Sequence, residues 1–110
     1  MDDCIFCKIA SGEMEVPLVY ENEHVVAFDD IAPKAKVHTL VVPKEHVVNL
    51  TDDPDSDLLG HVFGAVHEVA KIKGIDKTGF RIIQNNGPDA NQTVFHLHVH
   101  VQGGEKLPVE

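Results

Sequence analysis

In Val94-Phe95-His96-Leu97-His98-Val99-His100-Val101-Gln102, apolar and polar side chains alternate without a break from Phe95 onward. Alternation at period two marks a half-buried β-strand, because successive side chains point to opposite faces of the sheet. On that reading Phe95, Leu97, Val99 and Val101 fill a core. His96, His98 and His100 share the other face, neighbours about 6.6 Å apart. An ordinary solvent face would mix Lys, Thr and Glu. Three imidazoles in a row point instead to metal binding or to acid–base and nucleophilic chemistry, because histidine titrates near neutrality and ligates metals.

One ion cannot bind all three imidazoles, since His96 and His100 lie about 13 Å apart on an extended strand. Two adjacent members with a third ligand from elsewhere make a catalytic metal site. The nucleophilic alternative needs one imidazole, a group that fixes its tautomer, and a donor-rich anion pocket. Donors stand just upstream in Asn85, Gly87, Asn91, Gln92 and Thr93. A neutral imidazole attacking phosphorus gives a covalent phosphohistidine-type intermediate.

Working outward, Ile5 to Ala10 reads as a short helix stopped by Ser11-Gly12. Leu18-Val19-Tyr20, His24 to Phe28 and His38 to Val42 read as strands, the third ending at Pro43. From Pro54 to Lys73, Leu58, Leu59, Val62, Phe63, Val66, Val69 and Ala70 recur at intervals of three and four, which predicts an amphipathic helix. Asp53 is its expected N-cap and Gly74 its stop. Gly60 and Gly64 lie on this helix at a spacing that permits close approach of a partner helix. Phe80 to Gln84 is a fourth strand, and Val94 to Gln102 the fifth. The expectation is one α+β domain over residues 1–110, with a largely antiparallel five-stranded sheet, one main helix and a short N-terminal helix.

The chain has 110 residues and a formal net charge of -9, from 18 acidic and 9 basic side chains. That charge argues against bulk nucleic-acid binding, which needs a basic face. It also means that any phosphate site must rely on local donors. No apolar run approaches the ~20 residues of a membrane span. The acidic start, Met1-Asp2-Asp3, is unlike an export signal, so the expected location is the cytoplasm. Cys4 and Cys7 are the only cysteines. In that setting a C-x-x-C pair points to metal or redox chemistry before a structural disulfide. His24, His61 and His67 lie outside any constellation and read as surface residues.

Residues 96–102 also resemble the motif of the histidine triad (HIT) family, in which three histidines alternate with apolar residues. Asn85-Asn86-Gly87 and Asn91 to Phe95 resemble its phosphate loop, and Cys4 to Ile9 its N-terminus. Phe28 to Pro33 resembles its ribose-binding segment, and His38 to His46 its central strand. The match spans nearly the whole chain. The short length and Gly103-Gly104 point to the Hint branch, the purine-nucleotide phosphoramidases.

The resemblance implies a HIT-like fold that dimerises into a continuous sheet, and a hydrolase acting on P–N bonds of AMP or GMP derivatives. It implies His98 as nucleophile, with His100 on the phosphoryl oxygens and helping protons reach the leaving amine. His38 would buttress the triad, and Thr93, standing where serine is usual, would contact phosphate. Asn85 and the backbone at Asn91 and Gln92 would complete the anion pocket. Asp30 would take the ribose hydroxyls, and Phe6, Ile9, Phe28 and Ile31 would sandwich the purine. Cys4, Cys7, His46 and His96 would hold a structural zinc. The expected partners are a purine nucleotide and a second copy of the chain, with no nucleic acid and no membrane. Gln102, Asn91 and the missing C-terminal tryptophan depart from the family pattern. A nucleotide-binding regulatory module, a diadenosine polyphosphate hydrolase and a two-histidine metalloenzyme are the competing readings.

Overall fold

The computed structural model describes residues 3–109. Ile5–Ser11 forms helix α1. Cys4 caps it, its Sγ accepting the Cys7 N–H at 3.3 Å. Gly12 ends it in the left-handed region at φ 85°, where the absence of a Cβ removes the steric cost. Strands Tyr20–Glu21 (β1), Val25–Asp29 (β2), Val37–Pro43 (β3), Phe80–Ile83 (β4) and Val99–Gly103 (β5) form one sheet in the order β1-β2-β3-β5-β4. Every pairing is antiparallel. Helix α2, Ser56–Ile72, connects β3 to β4.

The sheet has two covered faces, which is why β2 and β3 read as nearly continuous apolar runs. On one face α2 presents Val62, Val66 and Val69 to Val25, Ala27, Val41, Val99 and Val101. Val25, Val41, Val62, Val69 and Val101 have no exposed surface, and each such side chain contributes about 1.5–3 kcal/mol. On the other face Phe6 and Ile9 of α1 pack on Val26, Phe28, Leu40 and Val42. His98 and His100 lie on that second side, so α1 and these two histidines share one surface of the sheet. Among the described residues no helix is long and apolar enough to cross a membrane.

Two expected boundaries move. The α2 N-cap is Asp55, whose carboxylate accepts the Leu58 N–H at 2.8 Å. Asp53 instead closes a 3-10 turn, Leu50–Asp52, in the left-handed conformation at φ 57°. The final strand begins at Val99 rather than Val94. Its pairing with β3 ends at Val41↔Val99. Beyond Val42 comes Pro43, which has no N–H to continue the ladder. Residues 94–96 therefore bend, and Leu97 donates instead to the Val47 carbonyl at 2.7 Å.

A histidine-lined candidate active site beside a cysteine–histidine cluster

The bend separates the three histidines. His96 is fully buried beside α1, while His98 and His100 lie at the mouth of the sheet's second face. The ring nitrogens then assign themselves, because a backbone carbonyl only accepts and a backbone N–H only donates. His98 Nδ1 lies 2.7 Å from the His96 carbonyl, so Nδ1 carries the proton and Nε2 is left with its lone pair. The Lys34 N–H donates to His38 Nδ1 at 2.9 Å, which puts the His38 proton on Nε2. From there it donates to His100 Nδ1 at 2.9 Å, which puts the His100 proton on its own Nε2. His98 thus keeps a bare Nε2, while its neighbour His100 carries a donor there.

This assignment also removes an apparent metal site. Asp30, His38 and His100 bring possible ligand atoms within 4.8 Å of one another. Ligation through His38 Nε2, with Nδ1 already accepting from Lys34, would require an imidazolate. The group is a proton-ordering chain.

Burial keeps these rings neutral. It lowers His98 against the opposing effects of the His96 carbonyl and Asp30. It lowers His38 as well, with Lys34 adding to the effect and Asp30 opposing it. His100 falls to about 4, through burial first and then the neighbouring imidazoles. The acidic surface, which by itself would raise histidine pKa values, is outweighed by desolvation.

Two cavities meet at His98, His100, Thr93 and Asp30. The apolar one, about 540 Å³, is walled by Phe6, Ile9, Met14, Phe28, Leu40 and Val94. Phe6 stands edge-on to His98 with ring centroids 5.1 Å apart. Ile31 borders this cavity but is fully exposed, a rim residue rather than one face of a sandwich. The polar cavity, about 420 Å³, is bordered by Lys34, His38, Asn85, Asn91 and Gln102. A wider depression of about 690 Å³ between the α2–β4 turn and the C-terminal segment contains none of these histidines.

Gln92 has a different place from the one expected. It is 4% exposed, and its side chain makes four bonds. Oε1 accepts from Asn49 Nδ2 and the Gly87 N–H, both at 2.8 Å, and Nε2 donates to the Val48 and Val94 carbonyls. The Asn91 and Gln92 backbone N–H groups donate to the Pro88 and Gly87 carbonyls. Both are consumed within the loop, so the loop offers the cleft the side chains of Asn85, Asn91 and Thr93. Asn85 already donates from Nδ2 to the Ala90 carbonyl at 2.8 Å. Asp30 Oδ1 accepts the Ala32 N–H at 2.9 Å, while Oδ2 lies 3.4 Å from His38 Nε2.

Behind the cleft, Cys4, Cys7, His46 and His96 converge, their ligand atoms all within 4.8 Å. His96 Nε2 donates to the Pro43 carbonyl at 2.8 Å, leaving Nδ1 bare. That Nδ1 lies 3.1 Å from His46 Nδ1 and 3.3 and 3.5 Å from the two Sγ atoms. Both cysteines are free thiols, and burial followed by the Cys4 side chain pushes the Cys7 thiol up. The donor set suits a tetrahedral soft-to-borderline metal, whose ligand atoms sit roughly 3.3–3.8 Å apart. A carbonyl bond that orients the ligating ring is the usual support for such a site.

Several participants leave no local trace in the sequence. Lys34 orients His38 through its backbone, and Met14 walls the apolar cavity. Neither has a motif. His24 and His61 stack face to face, with centroids 3.6 Å apart, away from the cleft. Only the fold brings them together.

The fold and site define a class: an antiparallel sheet carrying ordered histidines at the junction of an apolar and a polar cavity. Residues 11–107 match the family model described as the HIT domain, and the chain belongs to the HIT domain family. An uncharacterized HIT-like protein of Methanocaldococcus jannaschii is 46% identical over 98 residues, covering 89% of this chain and 76% of the relative. A histidine triad protein from Clostridium difficile superposes with TM-score 0.95 at 49% identity, covering 100% of this chain and 97% of that one. A HIT family hydrolase from Clostridium thermocellum gives TM-score 0.94 at 41% identity, with the same coverage.

Proposed function

We propose that the chain is a purine-nucleotide hydrolase that cleaves the P–N bond of nucleoside 5′-phosphoramidates through a nucleotidylated His98, as in the Hint branch of the family. The observation that carries this reading is the His98 tautomer: Nδ1–H donates to the His96 carbonyl, which leaves Nε2 bare on a ring that borders both cavities. A base in the apolar cavity and an α-phosphate at the junction put phosphorus against Nε2. Asp30 Oδ2 suits the ribose hydroxyls, and Thr93 and the His100 Nε2–H suit the non-bridging oxygens.

In the first step the P–Nε2 bond forms as the P–N bond breaks, and the amine leaves with a proton from solvent, helped by His100. The His96 carbonyl stabilises the positive charge that appears on the His98 ring. Water then attacks phosphorus, the P–Nε2 bond breaks, and AMP or GMP departs while the water's proton returns to solvent. The net change is phosphoramidate plus water to amine plus nucleotide. His98→Ala should lower turnover by at least about a thousandfold while AMP still binds, as titration calorimetry would show. Near-normal turnover in that variant contradicts the assignment.

We also propose that the ion at Cys4, Cys7, His46 and His96 is zinc. Four protein ligands close the site, so it supplies a cross-link between α1 and the sheet and no reactive water. Finally, we propose a homodimer that continues the sheet through β4. That edge strand exposes Phe80 and Ile82, α2 exposes Phe63, and a Cβ added at Gly60 or Gly64 meets nothing within the chain. Sedimentation equilibrium at micromolar concentration checks this; a monomer contradicts it.

A further inference from the structure

The two cavities differ in charge, and this bears on the leaving group. Among the residues bordering them, Lys34 is the only lysine or arginine, and it borders the polar cavity alone. His98, His100, Thr93 and Asp30 border both, so the reacting phosphorus belongs at the junction. With the base on the apolar side, Lys34 lies beyond phosphorus, on the leaving-group side. Its Nζ makes one bond, to the Ala32 carbonyl at 3.1 Å, and an ammonium has three donors. Among the described residues no carboxylate pairs with it, in contrast to Lys44, Lys71 and Lys73. Its charge also contributes to the lowering of both His38 and His100, which places it within electrostatic reach of the reacting groups. In a chain of net charge -9, a cation without a carboxylate partner beside the junction favours a negatively charged group there.

We propose that Lys34 selects leaving amines that carry a carboxylate, so that the substrates are nucleoside 5′-phosphoramidates of amino acids with a free acid group. The inference rests on the phosphoramidase reading above. The reaction is unchanged: the P–N bond breaks as P–Nε2 of His98 forms, the amino acid leaves with a proton from solvent, and water releases the nucleotide.

The test uses adenosine 5′-phosphoramidates of β-alanine, β-alaninamide and 2-aminoethylphosphonate. The full chain should show kcat/KM about fivefold higher for the β-alanine compound than for the amide, an effect sized for a partly screened ion pair. Lys34→Met should bring that ratio to about one, and Lys34→Glu should invert it; both keep the backbone N–H that orients His38. A wild-type ratio near one, or a ratio that Lys34→Met leaves unchanged, overturns the proposal. A phosphonate compound preferred to the β-alanine one overturns the carboxylate assignment in favour of a phosphorylated amine. Binding of the β-alanine and amide compounds to His98→Ala, by calorimetry, asks the same of the cleft without turnover. There too the expected preference is about fivefold, lost with Lys34→Met. If none of the compounds is hydrolysed by the wild type but the binding preference follows Lys34, the phosphoramidase reading fails and the acid-binding site stands. Equal binding overturns the site.

Discussion

Replacing Gln92 with Met separates a structural role from a ligand contact at the loop beside His98. Met keeps the length and buried volume of the side chain and removes its polar atoms. Four bonds disappear, leaving Asn49 Nδ2, the Gly87 N–H and the Val48 and Val94 carbonyls to find new partners. At about 0.5–1.5 kcal/mol for each net bond the loss spans roughly 2–6 kcal/mol. Two effects reduce it: the buried thioether gains apolar contact, and the partly exposed partners recover water. We expect about 3 kcal/mol, which for a domain of this size lowers Tm by roughly 13 °C. Urea unfolding followed by circular dichroism measures the first figure, and a thermal scan the second. With Gly87 and Val94 released, Asn91 and Thr93 lose their position, so kcat should fall as well. Unchanged stability with a raised KM would refute this reasoning and restore Gln92 as a nucleotide contact.

Two further outcomes follow from the titrating and metal-binding groups. His100 is held near pKa 4 against an ordinary 6.5, so the folded state binds fewer protons than the unfolded chain. Its contribution is complete above pH 6.5 and is lost as pH falls through 6.5 toward about 4. After discounting for partial exposure this amounts to about 2 kcal/mol, and His100→Gln should flatten the stability profile across that window in urea titrations. Purified protein should carry about one zinc per chain by elemental analysis. Cys4→Ser or prolonged chelation should remove it and lower Tm by several degrees, because a closed site links metal binding to folding. Immediate loss of turnover on chelation, with Tm unchanged, would indicate a catalytic metal instead.

What could be read from the chain depended on how local the determinant was. Period-two alternation located β5 and the face shared by His98 and His100, and the three-four spacing located α2. The start of β5 was not readable, because it depends on Pro43 of a different strand, where the ladder partner runs out. The α2 cap was ambiguous for a simpler reason: Asp53 and Asp55 flank Pro54, and only the fold shows that Asp53 closes the preceding turn. Gln92 sat inside a donor-rich loop, but its partners at Val48 and Asn49 come from the segment after β3. The same holds for Lys34, whose backbone orders a proton chain that no side-chain pattern records. The Cys4, Cys7, His46 and His96 grouping was recognisable through the family resemblance. The carbonyl bond that turns His96 Nδ1 toward the cluster, and the one by which His96 holds His98, required the bend at residues 94–96. His96 therefore serves two places at once, its ring turned to the cysteine–histidine cluster and its carbonyl to His98.

Rapid-quench mass spectrometry of the protein mixed with an adenosine 5′-phosphoramidate tests the central claim most directly. An AMP adduct should accumulate within one turnover and map by fragmentation to His98. Steady release of AMP with no adduct, or with the adduct on another residue, would contradict the assignment of His98 Nε2 as the attacking atom.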